Sequence, residues 1–193
     1  MVFMRYNCFA VNPFLEPLAC SSAIPPAGAV TTSAIAQVPA AGQSLHDHAA
    51  ARGAEIHANY GPRLGWSELQ RLLQDRTCVR YHCEIVFGAG GLRAGELAHP
   101  APKAQRPEAG FVMWVHPALQ ELPDQAVAVV LYQLVVINYG GFAAPADAEA
   151  FGANALGLSV EAYYERLCAI ADRVGAPPAE ARLAGAGELS EST

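Results

Sequence analysis

Six histidines and five cysteines are the side chains of this 193-residue chain best suited to holding a metal or attacking a bond. Their spacing keeps them apart. His46 and His57 share a helix face, since eleven residues make about three turns, but that separation is ~16 Å along the axis. His46 and His48 are two apart and diverge, and His99 falls in a loop. Cys8, Cys20, Cys78, Cys83 and Cys168 are too few and too scattered for a disulfide framework. Cys78 and Cys83 are five apart, an odd number that puts them on opposite faces of one strand, and the same parity separates His82 from Cys83. Cys168, in a helical segment, reads as a small buried hydrophobe. No metal set and no cofactor are expected from these residues. Gly88-Ala89-Gly90-Gly91 follows a strand, but Leu92-Arg93-Ala94-Gly95 opens no helix after it, so the nucleotide-binding pattern fails. No Gly-x-Ser-x-Gly elbow occurs, and nucleophilic triad chemistry has no centre.

What remains is a group of polar residues on an apolar background. Tyr132, Gln133, Asn138 and Tyr139 punctuate an otherwise apolar helical run. Once buried, each needs a partner, because an unsatisfied polar group costs ~1–3 kcal/mol. Asp147 and Glu149, on the next helix, are candidate acceptors, and His116 ends the preceding strand directly before Pro117. One reading is a structural network that fixes helix packing. The other is a small polar pocket of His116, Tyr132, Gln133 and Glu149, with no residue assigned as catalytic. An enzymatic alternative is a small-molecule hydrolase in which His116 works with Asp147 or Glu149 as an acid–base pair.

The stretch Val115-His116-Pro117, Leu122-Pro123 and Val129-Val130-Leu131-Tyr132-Gln133-Leu134-Val135-Val136 resembles the strand-to-helix passage of zincin metallopeptidases. In that family an edge strand precedes a buried helix bearing His-Glu-x-x-His, whose two imidazoles bind one zinc while the Glu activates water. The resemblance puts Tyr132 at the first ligand position, Gln133 at the general base and Val136 at the second ligand, with Glu149 at the place of an acidic ligand. Val binds no metal and Gln accepts no proton. The resemblance therefore implies a degenerate domain without the metal motif, a non-catalytic protein that binds a partner or a small ligand. It covers residues 115–160.

These residues must be positioned by the elements around them. Hydrophobic residues make up 52% and charged residues 16%, enough to build a core. Lys and Arg number 12 against 18 Asp and Glu, a net charge of −6 that leaves no cationic cluster for nucleic acid. No run of 18 apolar residues predicts a membrane span. Residues 1–43 carry only Arg5 and Glu16 as charges and read as a low-complexity leader. Asn12-Pro13 and Glu16-Pro17 break any secretory core, which favours a cytoplasmic protein. Pro17-Leu18-Ala19-Cys20 keeps an exported or lipid-anchored form as the alternative.

The globular part is expected over 44–175. Ser44 caps a helix over 45–59, ended by Gly61-Pro62. Trp66, Leu69, Leu72 and Leu73 form the stripe of a second helix running to Asp75. Alternation from Cys78 to Phe87 predicts a strand, and Gly110–His116 a second, the two pairing as a hairpin across a long loop over 92–109. Pro123 opens a helix that is apolar nearly all round to Ile137 and stops at Gly140-Gly141. Pro145 opens the next, to Gly157. Ser159 caps the last, whose stripe of Tyr163, Tyr164, Leu167 and Ile170 suits core packing and a homodimer face equally well. Residues 176–193 read as an acidic tail. The expected fold is α+β, a mostly helical single domain with a small two-stranded antiparallel sheet and a central buried helix.

Overall fold

A computed structural model describes residues 41–175, with side chains from Leu45 onward. The leader expected over 1–43, apart from its last three residues, lies outside the described residues, as do Cys8, Cys20 and the acidic tail. The architecture is α+β. Among the described residues are five α-helices and a three-stranded sheet.

Local chemistry sets the helix ends. Helix α1 spans Ala41–Tyr60, so Ser44 lies inside it and not at its cap, since no proline in Ala41-Gly42-Gln43 stops the helix upstream. Helix α2 spans Trp66–Leu72, and its first amide donates to Asp124 at 3.3 Å. Helix α3 spans Pro123–Tyr139 and ends at Gly140, whose φ of +67° suits a residue without a Cβ. Helix α4 spans Pro145–Leu156. The Asp147 carboxylate accepts the Ala144 N–H at 2.8 Å there, which closes its first turn. Helix α5 spans Val160–Gly175, and Ser159 caps it by accepting the Ala162 N–H at 3.1 Å.

Two expectations fail between α2 and the sheet. Helix α2 stops before Asp75, and the strand begins at Cys83 and not at Cys78. The cause is Asp75. Its carboxylate accepts the Thr77 N–H at 2.8 Å and the Thr77 hydroxyl at 2.6 Å, while its carbonyl takes the amides of Cys78 and Val79. Asn138 of α3 then accepts the Arg80 N–H at 2.9 Å and donates to the Cys78 carbonyl at 3.1 Å. With those groups committed, residues 75–80 form a turn.

The sheet also differs from the expected hairpin. Strands β1 (Cys83–Phe87), β2 (Ala98–Pro102) and β3 (Phe111–Val115) lie in the order β1-β3-β2. Strand β1 pairs parallel to β3, Cys83 opposite Phe111, and β2 pairs antiparallel to it, Ala98 opposite Val115. The long loop thus contains a strand of its own, Ala-His-Pro-Ala-Pro. Two prolines survive in it because of their register. The bonds His116 N–H to Leu97 O and Lys103 N–H to Gly110 O hand positions 97, 99, 101 and 103 to β3, so Pro100 and Pro102 occupy the outward positions where no donor is needed. The Gly-rich run after β1 closes over Trp114, and a Cβ at Gly91 would enter the indole ring.

Core formation follows the apolar pattern of α3. Ala126 through Tyr132 are all buried, together with Leu134, Val135 and Ile137. Met113 and Val115 of β3, Leu69 and Leu72 of α2, and Phe151, Tyr163 and Leu167 of the last two helices belong to the same core. Helices α1 and α4 lie side by side and run in the same direction. His46 meets Asp147, Gly53 meets Phe151 and Asn154, and His57 meets Gly157 in ascending order along both. The approach is close enough that a Cβ on Gly53 would collide with the Phe151 carbonyl. That contact explains why a residue unfavourable to helices sits in α1.

Candidate functional site

The site is best built outward from Tyr163, fully buried in the first turn of α5. Its hydroxyl donates to the Ala128 carbonyl of α3 at 2.7 Å, and its ring lies where a side chain on Gly152 of α4 would otherwise stand. One turn further along α3 from Ala128 is Tyr132, and one turn back along α4 from Gly152 is Glu149. Because a short connection joins α3 to α4, both steps lead toward the same end of the helix pair. Tyr132 and Glu149 therefore lie on the same side of Tyr163, near enough for the carboxylate to act on the Tyr132 phenol.

The electrostatics agree with this placement. Tyr132 is 5% exposed, and burial first, then the neighbouring Glu149 carboxylate and the Tyr164 phenol, hold its hydroxyl far above the ordinary range. Burial likewise raises the Tyr163 phenol, with Tyr132 adding to the effect. The Glu149 carboxyl is half-buried, and burial pushes its pKa up. Tyr164, 47% exposed, adds a phenol from α5 to the outer side of the group. The expected apolar stripe of α5 thus holds for Tyr163, Leu167 and Ile170 but not for Tyr164, which is turned about 100° from Tyr163 around the helix.

The other candidates are placed as follows. Gln133 is half-buried on α3. His116 follows β3, and its Nδ1 accepts the Ala118 N–H at 3.3 Å, so its ring serves the turn that leads to α3. Tyr132 lies nine residues into α3, ~14 Å along the axis from its start. Asp147 takes the Ala144 amide, and its other oxygen lies 3.2 Å from His46 Nδ1. Tyr139 meets His48 edge to face at 5.7 Å. Strand β3 is the middle strand of the sheet.

The thiols of Cys78, Cys83 and Cys168 are free. Cys168 is exposed, contrary to its reading as a buried hydrophobe, because it lies one turn beyond exposed Tyr164 and shares its face. Among the described residues, no three His, Cys, Asp or Glu side chains group to hold a metal ion. One stretch of them, Pro123–Phe142, has the length and the mean hydropathy, 1.4, of a membrane-crossing helix, yet over half of it is buried against the rest of the protein. Sequence reasoning named Tyr132 and Glu149 but read Tyr163 and Tyr164 only as an apolar stripe. The signal was the small residue Gly152 three positions after Glu149, which admits a large ring.

Comparison of the chain with protein-family models, with curated proteins and with solved structures gives no match.

Proposed function

We propose that this chain is a non-catalytic α+β protein, a degenerate zincin-like domain or a look-alike of one, that binds a partner or small ligand where α3, α4 and α5 meet. On this reading α3 is the central helix, and Tyr132, Gln133 and Glu149 are its polar contribution. The observation that carries the proposal is the half-buried Glu149 carboxyl near Tyr132, where burial pushes its pKa up. Withdrawing a carboxylate from water is costly, and a bound group that donates a hydrogen bond to it offsets that cost. Binding is favoured over hydrolysis by the commitments of the other groups. The His116 imidazole accepts from its own turn, and Asp147 serves the α4 cap and His46.

A fragment screen followed through backbone amide NMR tests the proposal. Hits are expected to move the amides of Tyr132, Gln133, Glu149 and Tyr164 together. A screen whose hits all move other regions overturns it.

A further inference from the structure

We propose that the free edge of β1 takes up an extended peptide of a partner protein as a further antiparallel strand, one in which acidic residues follow an apolar stretch. This surface shares no residue with the α3–α4–α5 junction. Strand β1 has β3 on one side and no strand on the other. The bonds Phe111 N–H to His82 O at 2.7 Å and Gly88 N–H to Val115 O at 2.9 Å assign the even positions of β1 to β3. Alternation then turns the N–H and C=O groups of Cys83, Ile85 and Phe87 outward. Among the described residues, no hydrogen bond engages them. Cys83 is 2% exposed, so pairing falls to half-buried Ile85 and Phe87.

The opposite edge of the sheet is closed to such pairing. Its outward positions on β2 include Pro100 and Pro102, which have no N–H to offer. Strand β1 has no proline, and its one charged side chain is drawn away from the edge. Glu84 is held at 2.7 Å by Lys103, which follows β2 on the far side of β3. Backbone donors and acceptors are thus left bare on one side only, as strand addition requires.

The surroundings select the occupant. Beyond the Cys83 end lie cations that lack a carboxylate. Arg80 is exposed and rests over the Tyr81 ring at 5.2 Å, and Arg76 donates to the carbonyls of Leu73 and Val79. Burial raises the Cys83 thiol, while the charges of Lys103 and then Arg76 act against that rise, so both stand close to this end of the strand. Among the described residues, neither arginine has an ion-pair partner. At the other end the rings of Phe87 and Trp66 lie 5.5 Å apart and offer apolar surface. Antiparallel pairing is the more stable form, and it runs a peptide from the Phe87 end toward the arginines. Its apolar residues come first and its carboxylates after them. A second copy of β1 fits less well. Its own Glu84 is committed to Lys103, so it brings no free carboxylate, and two five-residue strands edge to edge fall short of the ~1,200 Å² of a stable interface.

The test uses the full chain and a capped peptide, Val-Thr-Val-Thr-Glu-Asp-Glu, followed by amide NMR and hydrogen exchange. In the free protein the amides of Ile85 and Phe87 should exchange faster than those of Glu84 and Val86. The peptide should slow the first pair and shift Arg80. A peptide with the same residues in reverse order, and one ending in Lys-Arg-Lys, should each bind several-fold more weakly. Ile85→Pro removes one outward donor and spares the inward bonds, and should weaken the acidic peptide by at least about fivefold. Arg80→Glu, at an exposed position, should weaken the acidic peptide several-fold and strengthen the Lys-Arg-Lys one, and it decides the matter if Ile85→Pro does not fold. Equal binding of acidic and basic peptides, no binding of the acidic one, or binding that leaves Ile85 and Phe87 exchanging freely overturns the proposal. So does protection of these two amides without peptide: a second copy covers the edge if protection grows with concentration, and the chain itself if it does not.

Discussion

The Tyr163 hydroxyl on α5 donates to the Ala128 carbonyl on α3 at 2.7 Å while its ring fills the space left by Gly152 on α4. One side chain thereby holds three helices in register. Tyr163→Phe keeps the ring and loses the bond, and is expected to cost about 1 kcal/mol in urea denaturation. Gly152→Ala drives a methyl into the ring and is expected to cost about 1–3 kcal/mol. The ordering of the two variants, with alanine the worse, separates packing from hydrogen bonding.

Asn138 closes the gap between α3 and the turn before β1 with an acceptor for Arg80 and a donor for Cys78. Asn138→Leu leaves both backbone groups without their partner and is expected to destabilise the protein by about 1–3 kcal/mol. Asn138→Asp retains the acceptor only and should fall between the two. Chemical denaturation of the three proteins measures the series.

Acid sensitivity should centre on Asp75. The Thr77 hydroxyl and amide, and then the Tyr60 phenol at 2.9 Å, hold its carboxyl down from 3.8 to about 2. A lowered folded value means its contribution is complete above the unfolded value and is lost as pH falls from about 4 to about 2. Burial, and then the bond to Asp75, raises Tyr60 from 10 to about 12, so its contribution is complete below pH 10 and is lost toward pH 12. Melting temperatures recorded from pH 2 to 5 should drop across the acid window in the wild type. Asp75→Asn should flatten that drop and lower the plateau.

Thiol reactivity should sort by burial. Cys83 is 2% exposed and burial pushes its thiol up to about 12, while burial also raises Cys78. Cys168 stands exposed on α5. Iodoacetamide at pH 8 should label Cys168 in the folded protein and reach Cys78 and Cys83 only after denaturation, because the thiolate is the reactive form. Peptide mapping by mass spectrometry reads each site separately. Early labelling of Cys83 would show that β1 opens in the native state.

The helices were legible because their signals are local. Pro123, Pro145 and Ser159 mark starts that hold in the structure, and the apolar run from Ala126 announces its burial. The sheet was not legible. Ala98–Pro102 has no strand signature, and its prolines are tolerated only because an edge register turns them outward, which no local pattern reveals. Without that strand, β1 and β3 look like the arms of a hairpin, and their parallel pairing stays hidden. The turn over 75–80 was lost for a similar reason: Asp75 and Asn138 act on it from either side, 63 positions apart in the chain. At the site, Tyr132 and Glu149 could be singled out as polar residues on facing helices. Their placement depends on Tyr163, whose role is set by Gly152 across a helix interface.

The side-by-side course of α1 and α4 has a consequence for how the molecule comes into being. His46 and Asp147 are 101 positions apart, so α1 leaves the ribosome long before the helix that shields its apolar flank exists. At translation rates of roughly 5–20 residues per second, that interval is on the order of 5–20 s. During it, Ala49, Gly53 and Ile56 stay bare to whatever else is in reach. A nascent-chain segment with this waiting time is a natural client for a chaperone, and slowing elongation should lower the yield of native protein.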